Sequence, residues 1–466
     1  MVDPGYYQDL LRPTFQGRKV IIVGSPLAGA SDIVRWLRDL GAERCFIIAS
    51  GPGTGTAPDP ADADWIMVDE TFADVVAELH AIETLMENPP SKVKAALDRY
   101  DPDGRAVVMA PGVTLGAPPP FMAGRRVWGR RQPASVPLED KVTIDAFWDR
   151  IGVTRSASVV CPVSVDAVRK AKRQVDRGEG VVWAGDARDG IHGGGHLVRR
   201  VLQEADVSTA LTFFGSRCDR VRIMPFLEGI PCSIHGIVFS DYVIALRPVE
   251  LVTLRPREDM AFLYAGTATY WDPSEPDREY MRATARRVGA AFRTVVGLGT
   301  FTVDGVMTSD GFLPTELNPR FGAGLNVMAR SIQDLPLGLL IQALQEGEPL
   351  AYRPRDLEAL LLEQADSHRS GGGWTVIKPA QQRTEEHPLA WTDGSYRLAR
   401  SDEPGSGSLL IGPSNVGGLM RFTPDPAQMP TGPSIAPRVV AAFGLADREF
   451  GTGLGPLAPA RDVRPA

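Results

Sequence analysis

Cysteine is scarce in this sequence, and its spacing excludes the usual cysteine-based sites. The four cysteines are Cys45, Cys161, Cys218 and Cys232. No two of them lie at the spacing of a zinc or redox motif. Isolated thiols of this kind are typical of a reducing compartment, so the pattern favours a cytoplasmic protein.

Long apolar runs and an excess of positive charge are also missing. No apolar segment approaches the length that spans a bilayer, and the first residues, MVDPGYYQDLL, form neither a basic start nor an apolar stretch of secretory length. The formal net charge of -7 gives no long-range attraction to nucleic acid. We therefore expect a soluble protein that binds neither membranes nor nucleic acid.

The chain is long enough for several domains. Its 466 residues exceed one ordinary hydrophobic core, so roughly two to four domains are expected. The patterns of apolar residues predict an α/β and α+β multidomain protein. Its parts are a parallel α/β domain over 1–137, a small α+β unit over 138–220, a strand-rich unit over 221–365 and a β-rich region over 366–466.

Individual segments predict the elements of these parts. The stretch GRKVIIVGSPLAGASDIVRWLRDLGAERCFIIAS indicates strand, turn, helix and strand, with Val34, Leu37 and Leu40 at helical spacing. HLVRRVLQEAD indicates a helix. In the last hundred residues WTVIKP, SLLIG and GLMRF favour hairpins, and the end, GTGLGPLAPARDVRPA, resembles a flexible tail.

The most informative segment is TFTVDGVMTSDGFLPTELNPR, which has the pattern of a hairpin. A three-residue loop over 309–311 would end on a glycine in the left-handed conformation. That loop pairs Thr308 with Phe312 and places Asp304 directly opposite Glu316. The sequence therefore predicts two carboxylates facing each other across two strands.

Like charges directly opposite on a sheet are destabilising, so the pair needs a cation, a raised pKa on one member, or exposure to solvent. Along the second strand Glu316, Asn318 and Arg320 share one face, while Leu317 and Pro319 point away. Oxygen ligands of this kind suit magnesium together with substrate phosphates. The alternative is an ordinary surface hairpin whose acidic side chains face water.

ELNPR, with an aspartate twelve positions before its glutamate, resembles the metal signature of the ATP-grasp superfamily, which includes biotin carboxylase and the D-alanine:D-alanine ligases. The resemblance implies that Asp304, Glu316 and Asn318 hold Mg²⁺ on the phosphates of ATP, with Mn²⁺ as the alternative ion. Arg320 would then face the reacting carboxylate or phosphoryl group. The likeness extends over about 18–362, and it makes 138–220 the lid and 221–365 the catalytic subdomain.

Two further segments resemble the superfamily in the same order. In PLEDKVTIDAFWDRIGV the resemblance implies that Lys141 reaches the nucleotide phosphates, against the alternative of a solvated charge. In RIMPFLEGIPCSIHGIV it implies that the carbonyl of Pro225 and the amide of Leu227 bind the adenine edge. In the superfamily this segment is the hinge, which often carries one glutamate, with another near the ribose. This chain has Met224 and Pro231 instead, and Glu228 is the candidate substitute.

The loop GDARDGIHGGG would present backbone amides to phosphate oxygens and act as a hinge for lid closure, against the alternative of flexibility alone. Its glycine triplet is Gly193, Gly194 and Gly195. The superfamily usually has a lysine on the preceding strand, whereas this chain has Trp183 and Ala184. Arg188 or His192 would have to supply the missing positive charge.

Two arginines in ALRPVELVTLRPRED are candidate substrate contacts. Arg247 and Arg255 lie on the same side if the whole run is extended. A guanidinium can hold a carboxylate or phosphate through two parallel hydrogen bonds, so both arginines are candidates for the substrate or an acyl phosphate. The alternative is that they are surface charges.

These features favour an ATP-dependent carboxylate-amine ligase that forms an amide or peptide bond through an acyl phosphate. Its partners would be a small carboxylic acid and an amine, amino acid or peptide-like, and a homodimer is left open. One alternative is an ATP-binding regulatory or scaffold protein with weak or no turnover, because the lid lysine is missing. The other is a nicotinamide-dependent oxidoreductase, although VGSPLAG lacks the full dinucleotide fingerprint.

Overall fold

A computed structural model of the chain was analysed. It describes residues 3–24, 26–68, 71–110, 124–188, 193, 195–257, 260–332 and 334–464. In these ranges no helix has both the length and the apolar character needed to cross a membrane.

The N-terminal part is a layer of parallel strands with helices packed on it. The strands are β1 (Val20–Val23), β2 (Cys45–Ala49), β3 (Ala63–Met67), β4 (Val107–Met109) and β5 (Arg126–Trp128), and the helices are α1 (Gly5–Phe15), α2 (Ser31–Asp39), α3 (Val75–Glu87) and α4 (Ser91–Tyr100). The sheet order is β3-β2-β1-β4-β5. β1 is apolar and buried throughout, as expected for a parallel strand covered on both faces, and this confirms the predicted parallel domain.

The next part is a small antiparallel sheet with two helices packed on it. Its elements, with the two short helices that precede them, are α5 (Val136–Glu139), α6 (Ile144–Arg150), β6 (Val159–Pro162), α7 (Val165–Val175), β7 (Val181–Gly185), β8 (Val198–Val201), α8 (Glu204–Gly215) and β9 (Arg220–Pro225). The order is β6-β9-β7-β8, and β9 therefore continues this sheet five residues past the predicted boundary at 220.

The predicted helix over HLVRRVLQEAD is wrong in its first half. Residues Val198–Val201 form β8, which pairs with β7, and α8 begins only at Glu204. Leu197 and Val201 are buried in the core of this unit, so the cross-strand packing overrides the helical spacing of the apolar residues.

The strand-rich unit carries the predicted hairpin. It consists of β10 (Ile230–Val238), β11 (Val243–Ala245), β12 (Val249–Pro256), β13 (Leu263–Ala268), α9 (Glu275–Val295), β14 (Gly299–Thr308), β15 (Gly311–Asn318), α10 (Ala323–Ala329), α11 (Leu337–Gln345) and α12 (Pro354–Ser367). Its antiparallel sheet has the order β15-β14-β10-β12-β13.

The C-terminal region extends the same sheet. Its elements are β16 (Gly371–Ile377), β17 (Glu385–Thr392), β18 (Ser395–Leu398), β19 (Gly407–Ser414), β20 (Gly417–Pro424), α13 (Ala436–Phe450) and β21 (Leu457–Ala458). β16 pairs with β13, and the order continues as β16-β20-β19-β17-β18, which includes the expected hairpins. One hydrophobic core joins β12 and β13 to α13, so this region packs as part of the sheet that carries the hairpin.

The predicted flexible tail is wrong for the residues that the structure describes. β21 pairs with β12, and Arg461 forms an ion pair with Glu228. The turn between α13 and β21 is held by Asp447, which accepts hydrogen bonds from the Thr452 hydroxyl (2.8 Å) and the Leu454 amide (3.0 Å). These bonds order a segment whose composition alone resembles a disordered chain.

Candidate active site

The hairpin of β14 and β15 pairs Asp304 with Glu316, as predicted, but it reaches this register by a different route. Thr308 pairs with Gly311, so the loop contains two residues instead of the predicted three. A β-bulge then leaves Thr315 without a partner residue and restores the facing of the two carboxylates. The loop prediction is wrong by one residue, and the bulge compensates for the error.

The two carboxylates lie in a dense set of polar contacts. Asn318 Nδ2 donates to Asp304 Oδ2 (2.7 Å) and to Glu316 Oε1 (3.4 Å). On the neighbouring strand, the Ser233 hydroxyl donates to Asp304 Oδ1 (2.5 Å). Lys141 Nζ lies 2.6 Å from Glu316 Oε2. The lysine, the amide and both acids, which the sequence predicted to act together, therefore contact one another directly.

The pair carries its negative charge unequally. Burial, followed by the repulsion of Glu316, raises the pKa of Asp304 well above its ordinary value. Burial acts in the same direction on Glu316, but the attraction and hydrogen bond of Lys141, together with hydrogen bonds to Asp304 and Asn318, outweigh burial and lower the pKa of that carboxyl. Of the three solutions for facing carboxylates, the chain combines a raised pKa with a nearby cation.

This donor set fits a hard divalent cation with one adjustment. Among the described residues no group of three or more His, Cys, Asp or Glu side chains is placed to hold a metal, so two carboxylates would need the amide and substrate oxygens to complete the coordination. The Asn318 oxygen accepts from Arg320 Nη2 (3.3 Å), and its nitrogen faces the carboxylates. A half-turn of the amide, whose two orientations are nearly isosteric, would present the oxygen instead.

A cavity of about 380 Å³ lies between the lid sheet, the hinge and the hairpin. The predicted residues that line it are Lys141, Gly193, Gly195, Pro225, Leu227, Arg255, Asp304, Glu316, Asn318 and Arg320. Segments more than 170 positions apart in the chain thus contribute to one chamber, with the hinge at one end and the carboxylates at the other. His192 and Gly194 lie outside the described residues.

The prediction for Arg247 as a substrate contact is wrong. Its guanidinium is fully buried, with Nη2 2.5 Å from Asp272 Oδ1 and Nη1 2.7 Å from Asp366 Oδ1, and it lies away from the cavity. The strand β12 begins at Val249, so Arg247 precedes it and the alternation that linked it to Arg255 does not apply. Arg247 instead joins the catalytic sheet to the segment that leads into the C-terminal region.

Arg255 and Glu228 bind each other at the hinge end of the cavity. Arg255 donates to both oxygens of Glu228 (2.7 and 3.0 Å), and Arg461 Nη2 lies 3.0 Å from the same carboxylate. Burial raises the pKa of Glu228, but the two arginines lower it further, to about 2. The carboxylate therefore lies between two guanidinium groups and off the cavity wall, so the predicted ribose contact is wrong for this conformation.

Arg188 does not replace the missing lid lysine. It donates to the carbonyl of Ser216 (2.9 Å) and to Asp219 (3.3 Å), and none of these three residues lines the cavity. Trp183 is buried in the lid core, whereas its neighbour Ala184 faces the cavity. A short side chain thus stands at a cavity-facing position on the strand where the superfamily usually carries a cation.

Arg222, which the sequence patterns did not indicate, lines the cavity directly opposite Ala184 on the adjacent strand β9. Only 1% of its surface is exposed. Its Nε donates to Asp145 (2.9 Å), and its Nη1 donates to the carbonyl of Thr315 (3.1 Å). A buried arginine between Val221 and Ile223 in a strand was the available signal, because such a charge requires partners.

Arg320 also has partners that the sequence did not indicate. Its Nε donates to Glu139 Oε1 (3.1 Å), and the other oxygen of Glu139 binds Arg131. One carboxylate therefore serves two guanidinium groups.

A second cavity, of about 950 Å³, lies between the parallel layer and the catalytic part and shares Arg320 with the first. Its arginines are Arg35, Arg130, Arg131, Arg320 and Arg330, and its acidic side chains are Asp32 and Asp334. Cations therefore exceed anions in its walls. Such an excess of positive charge is favourable for an anionic ligand.

Comparison with known proteins shows the fold. No family model matches the sequence, and no curated protein sequence matches it. A solved structure of the 2-oxoglutarate carboxylase biotin carboxylase domain of Hydrogenobacter thermophilus, a dimer with MgADP, ADP and bicarbonate, is similar, with a TM-score of 0.52 and 13% identity over 96% of this chain and 92% of that one.

Two more solved structures share this architecture. Carboxyaminoimidazole ribonucleotide synthase of Aspergillus clavatus, complexed with ATP, has a TM-score of 0.51 and 12% identity over 93% of this chain and 99% of that one. Pyruvate carboxylase of Rhizobium etli has a TM-score of 0.54 and 17% identity over 93% of this chain and 37% of that one. The chain therefore has the ATP-grasp fold that the resemblance implied.

Proposed function

We propose that this protein is an ATP-dependent ligase that activates a carboxylic acid as an acyl phosphate and couples it to an amine. The observation that carries the proposal is the Asp304–Glu316 pair, which shares a cavity with Lys141 and with the hinge. Support also comes from solved structures of the same fold that are complexed with ATP or MgADP.

In the proposed complex the adenine binds the backbone of the hinge, through the carbonyl of Pro225 and the amide of Leu227. Gly193 and Gly195 line the same cavity from the lid, where their backbone amides are available to phosphate oxygens. Lys141 would turn from Glu316 toward the phosphates, because both are anionic partners within one cavity.

Asp304, Glu316 and, after a half-turn of its amide, Asn318 would hold Mg²⁺, with Mn²⁺ as the alternative, and the ion would screen the phosphate charge. Arg320 has the role of orienting the substrate carboxylate. Its contact with Glu139 fixes the guanidinium before the substrate arrives, which lowers the entropy cost of productive binding.

The proposed reaction has two steps, phosphoryl transfer to the acid and acyl transfer to the amine. A carboxylate oxygen bonds to the terminal phosphorus of ATP, and the bond from that phosphorus to ADP breaks. The amine nitrogen next attacks the acyl carbon, phosphate leaves with the bonding electrons, and the amine releases its proton. The lid has to exclude water between these steps, because hydrolysis is the competing fate of the acyl phosphate.

We place the acid and the amine in the larger cavity, which contacts the nucleotide cavity at Arg320. Its surplus of arginine favours an acid that carries a further anionic group. Amino acids and peptides remain within the proposed class, because they combine a carboxylate with an amine.

The second candidate function is an ATP-binding regulatory or scaffold protein with weak or no turnover. One observation favours it: β7 contains no lysine, and Ala184 faces the cavity where that charge would act. A protein of this kind would bind MgATP without consuming it.

A screen for ADP release separates these functions. Purified protein is incubated with MgATP and pairs of acids and amines, including monocarboxylic, dicarboxylic and phosphorylated acids matched in length. ADP release that requires both substrates supports the ligase, and binding of MgATP without release from any pair supports the regulatory protein. Failure to bind MgATP contradicts both.

A further inference from the structure

The β-bulge in β15 leaves one residue whose backbone needs partners outside the regular ladder. Thr315 stands at this bulge, next to Glu316. Its hydroxyl donates to the Asp304 carbonyl (3.2 Å), and its own carbonyl accepts from Arg222 Nη1 (3.1 Å). The register that makes the two carboxylates face each other thus has a side-chain support in the lid sheet.

Arg222 is itself held firmly. It belongs to β9, and two of its nitrogens contact Asp145 of α6 (Nε 2.9 Å, Nη2 2.7 Å). Asp145 in turn accepts from the Ser158 hydroxyl (2.5 Å), and Arg155 lies 3.7 Å away. One buried guanidinium therefore connects α6, the lid sheet and the hairpin.

The same guanidinium is a charge at the cavity wall. Desolvation lowers the pKa of Arg222, while attraction to Asp145 and, more weakly, Glu316 raises it. Arginine stays protonated under such opposing effects, so the positive charge persists. It lies opposite Ala184, on the strand next to the one that lacks a lysine.

We propose that Arg222 is a positioning residue that anchors the bulge at Thr315, and thereby keeps Glu316 opposite Asp304. The proposal rests on the proposed function for its catalytic consequence, but the anchoring itself is a property of the protein without nucleotide. Arg222 acts through the hairpin and contacts none of the reacting atoms.

The test compares Arg222→Met and Arg222→Lys with Arg220→Gln, an exposed arginine two positions away on the same strand. Hydrogen exchange of residues 313–317 is measured in protein free of nucleotide. Loss of a hydrogen bond from a charged donor should speed exchange there by roughly 10- to 100-fold in both Arg222 variants. Arg220→Gln should leave it unchanged.

A second measurement is the Mn²⁺ affinity of the same proteins. We expect it to fall at least about tenfold in both Arg222 variants, because a displaced Glu316 no longer shares the site with Asp304. Lysine keeps the charge but lacks the fork that reaches both Asp145 and Thr315. If Arg222→Lys has the hydrogen exchange and the Mn²⁺ affinity of the wild type, the anchoring role is wrong. Only a positive charge at position 222 would then be required.

Asp145→Asn is a milder second variant that keeps the proposal testable if Arg222→Met does not fold. This substitution keeps Arg222 but weakens the contact that orients its guanidinium. Amide hydrogen exchange at 313–317 should therefore rise by less than in Arg222→Met. Unchanged exchange in Arg222→Met at unchanged thermal stability contradicts the proposal. Failure of the wild-type protein to bind Mn²⁺ or ATP would instead contradict the proposed function, while the exchange comparison still decides the anchoring.

Discussion

The hairpin wall and the lid wall of the smaller cavity are built in different ways. At the hairpin wall, the acidic and amide side chains come from one pair of adjacent strands and are close because of strand alternation. At the lid wall, the cation that faces the cavity comes from β9, across from the alanine on β7. The first arrangement is local in sequence, and the second depends on which strands become neighbours. The charges of one wall can therefore be read from a local pattern, whereas the charge of the other depends on strand pairing.

The largest effect should follow neutralisation of the hairpin end. Glu316→Gln removes a proposed metal ligand, so ADP release should fall by well over about 100-fold, more than is typical of an outer-shell change. The stability of the nucleotide-free protein should change little, because the lost ion pair with Lys141 offsets the relieved repulsion from Asp304. Product formation and urea unfolding measure the two effects.

Asp310→Asn is the matched control for this change. Asp310 is exposed in the turn of the same hairpin, away from the cavity, so activity and stability should stay near those of the wild type. Activity within about twofold of wild type in Glu316→Gln, less than roughly 0.5 kcal/mol in transition-state terms, would show that the hairpin end is structural.

The second prediction concerns metal dependence across the cavity. ATP at about 100 times its Kd should stabilise the protein by about 2.7 kcal/mol in the presence of Mg²⁺. In excess chelator the stabilisation should largely disappear, because the phosphates then meet two carboxylates without a cation between them. Thermal unfolding with ATP, with and without Mg²⁺, tests this, and equal stabilisation in both conditions rules out the proposed ion site.

The third prediction concerns the pH dependence of the stability that Glu228 contributes next to the hinge. The pKa of Glu228 is lowered to about 2 from an ordinary 4.5, so its ion pairs with Arg255 and Arg461 stabilise the fold above pH 4.5 and lose this effect as the pH falls toward 2. Glu228→Gln should cost about 1–3 kcal/mol at pH 7. The difference from wild type should shrink steadily below pH 4.5, measured by chemical denaturation.

The exposed pair of Glu403 and Arg397 serves as the control for this titration. Glu403→Gln removes a carboxylate whose partner is also an arginine, but at the solvent-exposed surface. Screening makes such pairs weak, so its effect should be clearly smaller than that of Glu228→Gln and sensitive to salt. Equal losses of stability in the two variants would show that burial does not strengthen the ion pairs of Glu228.

The smallest effect is expected from moving the positive charge of Arg222 on β9 to position 184 on β7. Ala184→Lys puts an ammonium opposite Arg222, so it should destabilise the lid by up to roughly 1 kcal/mol through cross-strand repulsion. In the Arg222→Met background the same lysine should restore part of the MgATP affinity. Calorimetric titration of the single and double variants measures this, and no recovery in the double variant would show that charge at this wall is irrelevant to the nucleotide.

Several errors of the sequence analysis share one physical origin. The segment at β8 has helical spacing of its apolar residues, yet it forms a strand because β7 and the lid core are next to it. The last residues resemble a tail, yet β12 and Glu228 hold them in place. Local propensity is a weak preference, and tertiary pairing decides wherever a neighbouring strand or ion pair is available.

The sequence by itself determined the parallel N-terminal layer and the two strands of the hairpin, because periods of two and 3.6 residues assign side chains to faces without knowledge of distant contacts. The facing of Asp304 and Glu316 also required the two-residue loop and the bulge at Thr315, which the sequence pattern did not indicate. Only the tertiary structure decided that Arg222 occupies the cavity wall, that Arg247 is buried among acids, and that the C-terminal region continues the catalytic sheet. Those outcomes depend on contacts between residues tens to hundreds of positions apart, which no local pattern encodes.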